Sequence, residues 1–134
     1  MISGRRTFEL AHRWQGDHHD GVPIFVLTHR ADDADVPPGH ARFVTDAGDC
    51  ARQARAAAGD RPVMVHGAGA AQALLRAGQI DEMEIHLVQV LLGSGRRLFD
   101  HLGNDHIELD LVRRLDARDV THLRYRVRRP EEAA

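Results

Sequence analysis

The sequence predicts an α/β fold with a mixed, mostly parallel sheet, and three observations carry that expectation. Short apolar β-rich runs alternate with helix-prone segments through the first two thirds of the chain. The last third holds two segments, residues 107–115 and 121–127, that alternate apolar and polar side chains and follow one another without a helix. Between a strand-like run and a helix-like run stands His66-Gly67-Ala68-Gly69, a glycine turn of the kind that brings backbone N–H groups close to a ligand. Helices between early strands imply parallel pairing; strands in succession imply an antiparallel edge.

Each element has its own warrant. Phe8, Leu10, Ala11 and Trp14 fall near helical spacing, so a helix is expected over residues 7–14, opening just after Gly4. Residues 23–28 form a short buried strand, and residues 29–41, with Pro37-Pro38, an extended surface loop before a small strand at residues 42–45. Residues 48–59 are alanine-rich and helix-prone, with Cys50, Ala54, Ala57 and Ala58 sharing a side. A strand at 62–66, with residues 63–65 buried, leads through the glycine turn into a helix at 69–77, which Gly78 is placed to end in a left-handed cap. Residues 82–92 make the next strand, and residues 116–119 join the final antiparallel pair, which caps the sheet.

Composition removes several function classes. The 134 residues suit one domain, taken as residues 1–129 with a frayed, disordered tail at 130–134. A formal charge of −2 gives no electrostatic case for nucleic acid or an anionic membrane, so small molecules are the expected partners. All eighteen basic residues are arginine, which excludes a lysine Schiff base or lysine general base in this chain. Cys50 is the only cysteine and cannot form an internal disulfide; with no secretory pattern at the start and no apolar stretch of roughly 20 residues, a cytoplasmic protein is expected. Ser3 and Ser94 are the only serines and neither lies in a nucleophile elbow, so hydrolase chemistry has no foothold.

Three constellations point to a bound anion. Gly4-Arg5-Arg6-Thr7 puts two fixed cations beside the unpaired donors of a helix start, which suits a phosphate; a solvated surface pair is its plain alternative. Thr28-His29-Arg30 ends a predicted parallel strand, on the side of an α/β sheet where ligands ordinarily bind; a polar strand exit is the alternative there. The third is the His66 turn with Gly67, Ala68, Gly69 and Ala70, for which a plain tight strand-to-helix turn is the alternative; ligand contact is the favoured reading because three strand ends coincide. Gly93-Ser94-Gly95 is either a flexible rim or a turn. Asp17-His18-His19-Asp20 lacks a distant partner motif, and no metal site is assigned. Arg124, Arg126 and Arg128 alternate along a last strand taken as a solvated edge, with acids at 105, 108, 110, 116 and 119 as neutralising partners.

These residues together resemble the dihydrofolate-reductase-like superfamily, and more closely the reductase domain of the bifunctional riboflavin-biosynthesis deaminase-reductase. Three blocks carry the likeness: Gly4-Arg5-Arg6-Thr7-Phe8-Glu9, Val26-Leu27-Thr28-His29, and the long stretch from Val65 to Phe99 with Ala77-Gly78, Ile80-Asp81-Glu82 and Leu91-Leu92-Gly93. The resemblance implies a three-layer sandwich, NADPH as cofactor and hydride transfer to a small heterocyclic or ribosylated substrate, such as a 5-amino-6-(5-phosphoribosylamino)uracil reductase performs. It implies Arg5, Arg6 and Thr7 near the phosphates, Thr28 and His29 near the adenosine 2′-phosphate, and Gly67, Ala68, Gly69 and Ala70 under the pyrophosphate, with Gly4 opening the first helix.

The departures from the pattern are specific. Relatives carry a strand and substrate loop ahead of the glycine-arginine block, so the fold is expected to be N-terminally truncated, and no catalytic residue is assigned. His66 stands in place of the first of two paired glycines, and Gln89 where proline is common. Residues 62–66 and 83–90 should therefore pair directly or leave a gap. In the reductase reading another chain could complete the pocket; two alternatives to it are a shortened non-catalytic module that self-associates, as a homodimer or larger homo-oligomer, or binds nucleotide, and a fragment of a longer protein with no function of its own.

Overall fold

The computed structural model describes residues 1–16, 21–30, 39–104 and 106–129. Four short strands, β1 (Ile2–Gly4), β2 (Ile24–Leu27), β3 (Ala41–Val44) and β4 (Val65–His66), form a parallel sheet in the order β3-β2-β1-β4. Helix α1 (Arg5–Leu10) leaves β1, α2 (Ala47–Ala58) leaves β3, and α3 (Ala68–Arg76) leaves β4. Three longer strands, β5 (Glu82–Val88), β6 (Leu109–Asp116) and β7 (Val120–Val127), form a separate antiparallel sheet in the order β5-β7-β6.

The parallel sheet is the core, and its period of two sorts side chains to two faces. Phe25 and Val44 join Ile2, Cys50, Ala51, Ala54 and Leu74 beneath α2 and α3, while Ile24, Val26 and Ala41 pack with Phe8 of α1 on the opposite face. Helices therefore cover both faces of this sheet, as the three-layer arrangement requires. Helix α2 is held at its start by Asp46, whose Oδ1 accepts from the Asp49 N–H at 2.8 Å. Helix α3 ends as its sequence predicts: Gly78 has φ +64°, and the Gln79 N–H bonds the Leu74 carbonyl at 2.8 Å.

Several expectations require correction. Residues 2–4 are the central strand of the parallel sheet, although only Met1 and Ile2 signal it in sequence. The opening helix stops at Leu10, and the chain then turns through left-handed backbone from His12 to Gly16, with Trp14 folded back to 5.9 Å from Phe8. In α2 the apolar side is Cys50, Ala51 and Ala54, whereas Ala57 is exposed. Residues 63–65 are not buried: Met64 is 62% exposed, because among the described residues β4 pairs only with β1. Strand β5 ends at Val88, opposite Val120, the first residue of its partner, which is where their ladder stops. The last strand is the middle strand of its sheet, not an edge, so its arginines find acids on both sides.

The antiparallel segment thus joins β5 rather than capping the parallel sheet, and β4 and β5 do not pair. The fold is α/β as expected, with its strands divided between two sheets. Residues 17–20, with the Asp17-His18-His19-Asp20 motif, most of the 29–41 loop including Pro37-Pro38, Asp105, and the tail 130–134 lie outside the described residues.

Candidate functional site

All parallel strands point their C-terminal ends the same way, and β1 and β4 are neighbours whose outgoing chains diverge to opposite faces of the sheet. Such a switch point leaves a crevice between the two outgoing turns. Here it opens into a cleft of about 1000 Å³. Gly4, Arg5, Arg6, Thr7, Thr28, His29, Gly67, Ala68, Gly69 and Ala70 all line it, so the three motifs read from sequence converge on one place.

The floor is built by close approach of two helix starts. Gly67 adopts φ +97°, and a β-carbon there would lie 2.5 Å from Thr7 Oγ1, so only glycine fits. Glycine occupies the N-cap of both α1 and α3, neither cap makes a side-chain bond, and neither first turn carries an acid. Helix α2 contrasts with both, since Asp46 and Asp49 satisfy its start from within the chain. Helices α1 and α3 therefore turn donor-rich, partially positive ends toward the cleft.

The walls are cationic. Arg5 is committed locally, with Nε bonded to Glu9 at 2.9 Å and its guanidinium 5.7 Å from the Phe43 ring centre. Arg6 and His29 are exposed at the rim. Thr28 is buried, its N–H bonded to the Val44 carbonyl at 3.0 Å and its Oγ1 accepting from the Arg30 N–H at 3.2 Å, which fixes the strand exit. Arg30, Thr45, Arg76 and Arg96 complete the cleft; the sequence signals for Arg30 and Arg96 are their adjacency to the Thr28-His29 and Gly93-Ser94-Gly95 motifs. Glu9, already paired with Arg5, is the single acid among the described lining residues.

Arg96 reaches the cleft because α3 anchors its loop. The nearly buried Gln72 donates through Nε2 to the carbonyls of Arg97 and Leu98, at 3.3 and 3.0 Å, and Arg76 Nη1 donates to the His101 carbonyl at 2.7 Å. Of the 93–99 segment, Arg96 lines the cleft, whereas Gly93, Ser94 and Gly95 are not among its lining residues. With Glu9 engaged, no described lining side chain is set up as an acid-base pair; the arrangement is suited to holding a polyanion.

The sequence profile described as the RibD C-terminal domain matches residues 3–123, and no curated protein matches the chain. Among solved structures, a protein assigned to riboflavin biosynthesis from Shewanella sp. PV-4 superposes with a TM-score of 0.75 at 24% identity, over 96% of this chain and 73% of that one. Acinetobacter baumannii RibD gives 0.61 at 16% identity, over 95% of this chain but 46% of its own length. The Saccharomyces cerevisiae riboflavin biosynthesis reductase Rib7 gives 0.61 at 15% identity, over 95% and 74%. The dihydrofolate-reductase-like architecture, the glycine turns at its switch point and the profile match over nearly the whole length agree: this chain belongs to the RibD C-terminal domain family.

Proposed function

We infer that the chain is an NADPH-binding oxidoreductase of the riboflavin-reductase type, acting on a small heterocyclic or ribosylated substrate. The observation that supports this reading most is the charge balance of the cleft. Apart from the Arg5–Glu9 pair, its lining among the described residues carries Arg6, Arg30, Arg76 and Arg96 with no acid. A dinucleotide pyrophosphate brings about two negative charges, and a 2′-phosphate monoester adds roughly 1.5 to 2 more. Four guanidiniums match the phosphorylated dinucleotide better than the unphosphorylated one.

In this reading the turns at Gly4 and Gly67 cradle the pyrophosphate, Arg6 flanks it, and Thr28, His29 and Arg30 take the 2′-phosphate. The reduced nicotinamide supplies the hydride chemistry when bound, and the protein's share is orientation and electrostatics. Calorimetric titration of the folded chain with NADPH and with NADH tests it. Saturable binding is expected, tighter for NADPH and weakened by salt; no binding at millimolar NADPH overturns the assignment.

A second reading, a self-associating module, is favoured by the antiparallel sheet. Leu87 and Leu111 are 57% and 56% exposed and Leu91 is fully exposed, more apolar surface than a lone sheet edge ordinarily leaves in water. Sedimentation at tens of micromolar separates the cases: a homodimer or larger homo-oligomer supports the module, and a stable monomer removes it.

A further inference from the structure

The antiparallel sheet also presents a polar face that the cofactor cleft does not use. Along β5, Glu82, Glu84 and His86 stand opposite Arg126, Arg124 and His122 of β7. His86 and His122 are direct cross-strand partners, their Nδ1 atoms 2.6 Å apart and their ring centres 4.8 Å apart at 76°. A carboxylate oxygen of Glu84 completes a group of three donor atoms that all lie within 4.8 Å of one another.

We propose that Glu84, His86 and His122 form a binding site for a divalent transition-metal ion of the zinc class. Two imidazoles and a carboxylate are the donor set that favours zinc, cobalt or nickel over magnesium or calcium. Spacing of two along β5 and direct opposition across the ladder fix all three Cα positions, so binding requires side-chain rotation only. At metal–ligand distances of about 2.0 to 2.2 Å, tetrahedral donors sit roughly 3.3 Å apart. The histidine pair must open by less than about 1 Å and the carboxylate must close by a little more. With its hydrogen on Nε2, each neutral imidazole presents an Nδ1 lone pair, so the two rings can ligate one ion together.

The surrounding charges set the strength. Arg113 Nη2 holds Glu84 Oε2 at 3.1 Å, and Arg124, paired with Glu82, lies alongside. Both arginines oppose a cation, but their ion pairs are exposed and exchange at little cost. Three protein donors leave a fourth position for water or an external ligand, the open arrangement of a reactive rather than a purely structural centre.

Titration of the full chain with Co²⁺ alone and Zn²⁺ alone tests the proposal. One equivalent is expected, with the visible spectrum of tetrahedral cobalt and competition by zinc. His86→Ala, His122→Ala and Glu84→Gln should each weaken binding by more than about tenfold, while Arg113→Gln, which releases Glu84, should tighten it. Circular dichroism of each variant, with substitutions at exposed or half-exposed positions, keeps loss of folding distinguishable from loss of the site. Absence of stoichiometric binding, binding that survives the His86→Ala/His122→Ala double variant, or loss in His18→Ala/His19→Ala instead overturns the site.

Discussion

Thr7 and Gly67 touch across the switch point so tightly that a single added methyl group on Gly67 would lie 2.5 Å from the Thr7 hydroxyl oxygen. The first turn of α1 and the turn into α3 are therefore one built unit. Gly67→Ala must both leave its φ of +97° and push the threonine away. A loss of about 1–3 kcal/mol in denaturant unfolding is expected, together with weaker NADPH binding. Gly69→Ala is the control: it lies in α3 with nothing within 4 Å of a new β-carbon, and should leave stability unchanged or raise it by about 0.5–1 kcal/mol.

Arg30 is the test of cofactor preference. It follows the fixed Thr28 exit and has no role in the core, so its removal should not unfold the chain. A charge-assisted bond to a phosphate contributes roughly 1.5–3 kcal/mol. Arg30→Ala should raise the NADPH dissociation constant by about tenfold or more and leave that of NADH nearly unchanged. Equal losses for the two dinucleotides would mean that Arg30 does not read the 2′-phosphate.

What the sequence made legible is what local chemistry dictates. Glycine before a helix, a strand run ending in Thr28 and the Gly78 cap are visible because one or two residues determine each of them. Residues 2–4 escaped because three residues carry no period; their strand exists only through pairing with β2 and β4 on either side. Arg76 and Arg96 escaped for a similar reason, since it is α3, through Gln72 and Arg76 itself, that ties the 93–101 segment to the cleft. The Glu84, His86 and His122 group needs the β5–β7 register before its members meet, and a spacing of 36 residues between the histidines hides it.

Cys50 offers a pH test of the core. It is fully buried beneath the parallel sheet, and burial pushes its thiol up to about 11 from an ordinary 9.0, with the Asp49 charge adding to the effect. The folded state then holds a proton that the unfolded state releases first. Its stabilising contribution is complete below pH 9 and falls as pH rises toward 11. Denaturant midpoints should decline over that window in the native chain and less so in Cys50→Ala, once the cavity cost of the substitution is subtracted. Thiol reagents should label Cys50 only upon unfolding.

The two sheets should open separately. Ile24, Phe25 and Val26 are at most 2% exposed, on a strand whose two faces are covered by helices, whereas Leu87, Leu111 and Leu115 are about half exposed on strands that no described helix covers. The antiparallel sheet is held by its own ladder and by exposed pairs such as Arg128 with Glu108 and Arg124 with Glu82, which contribute little individually. It is joined to the rest by Arg55 bonded to Asp81 and by the Gln72 and Arg76 tethers. Local opening free energy follows buried contact rather than hydrogen-bond count. Hydrogen exchange on dilute protein should show β5, β6 and β7 exchanging as a unit ahead of β1, β2 and β3. Raising the concentration should protect β5 to β7 selectively if their apolar surface is a contact between copies; a single uniform opening of all seven strands would show that the two sheets fold as one cooperative block.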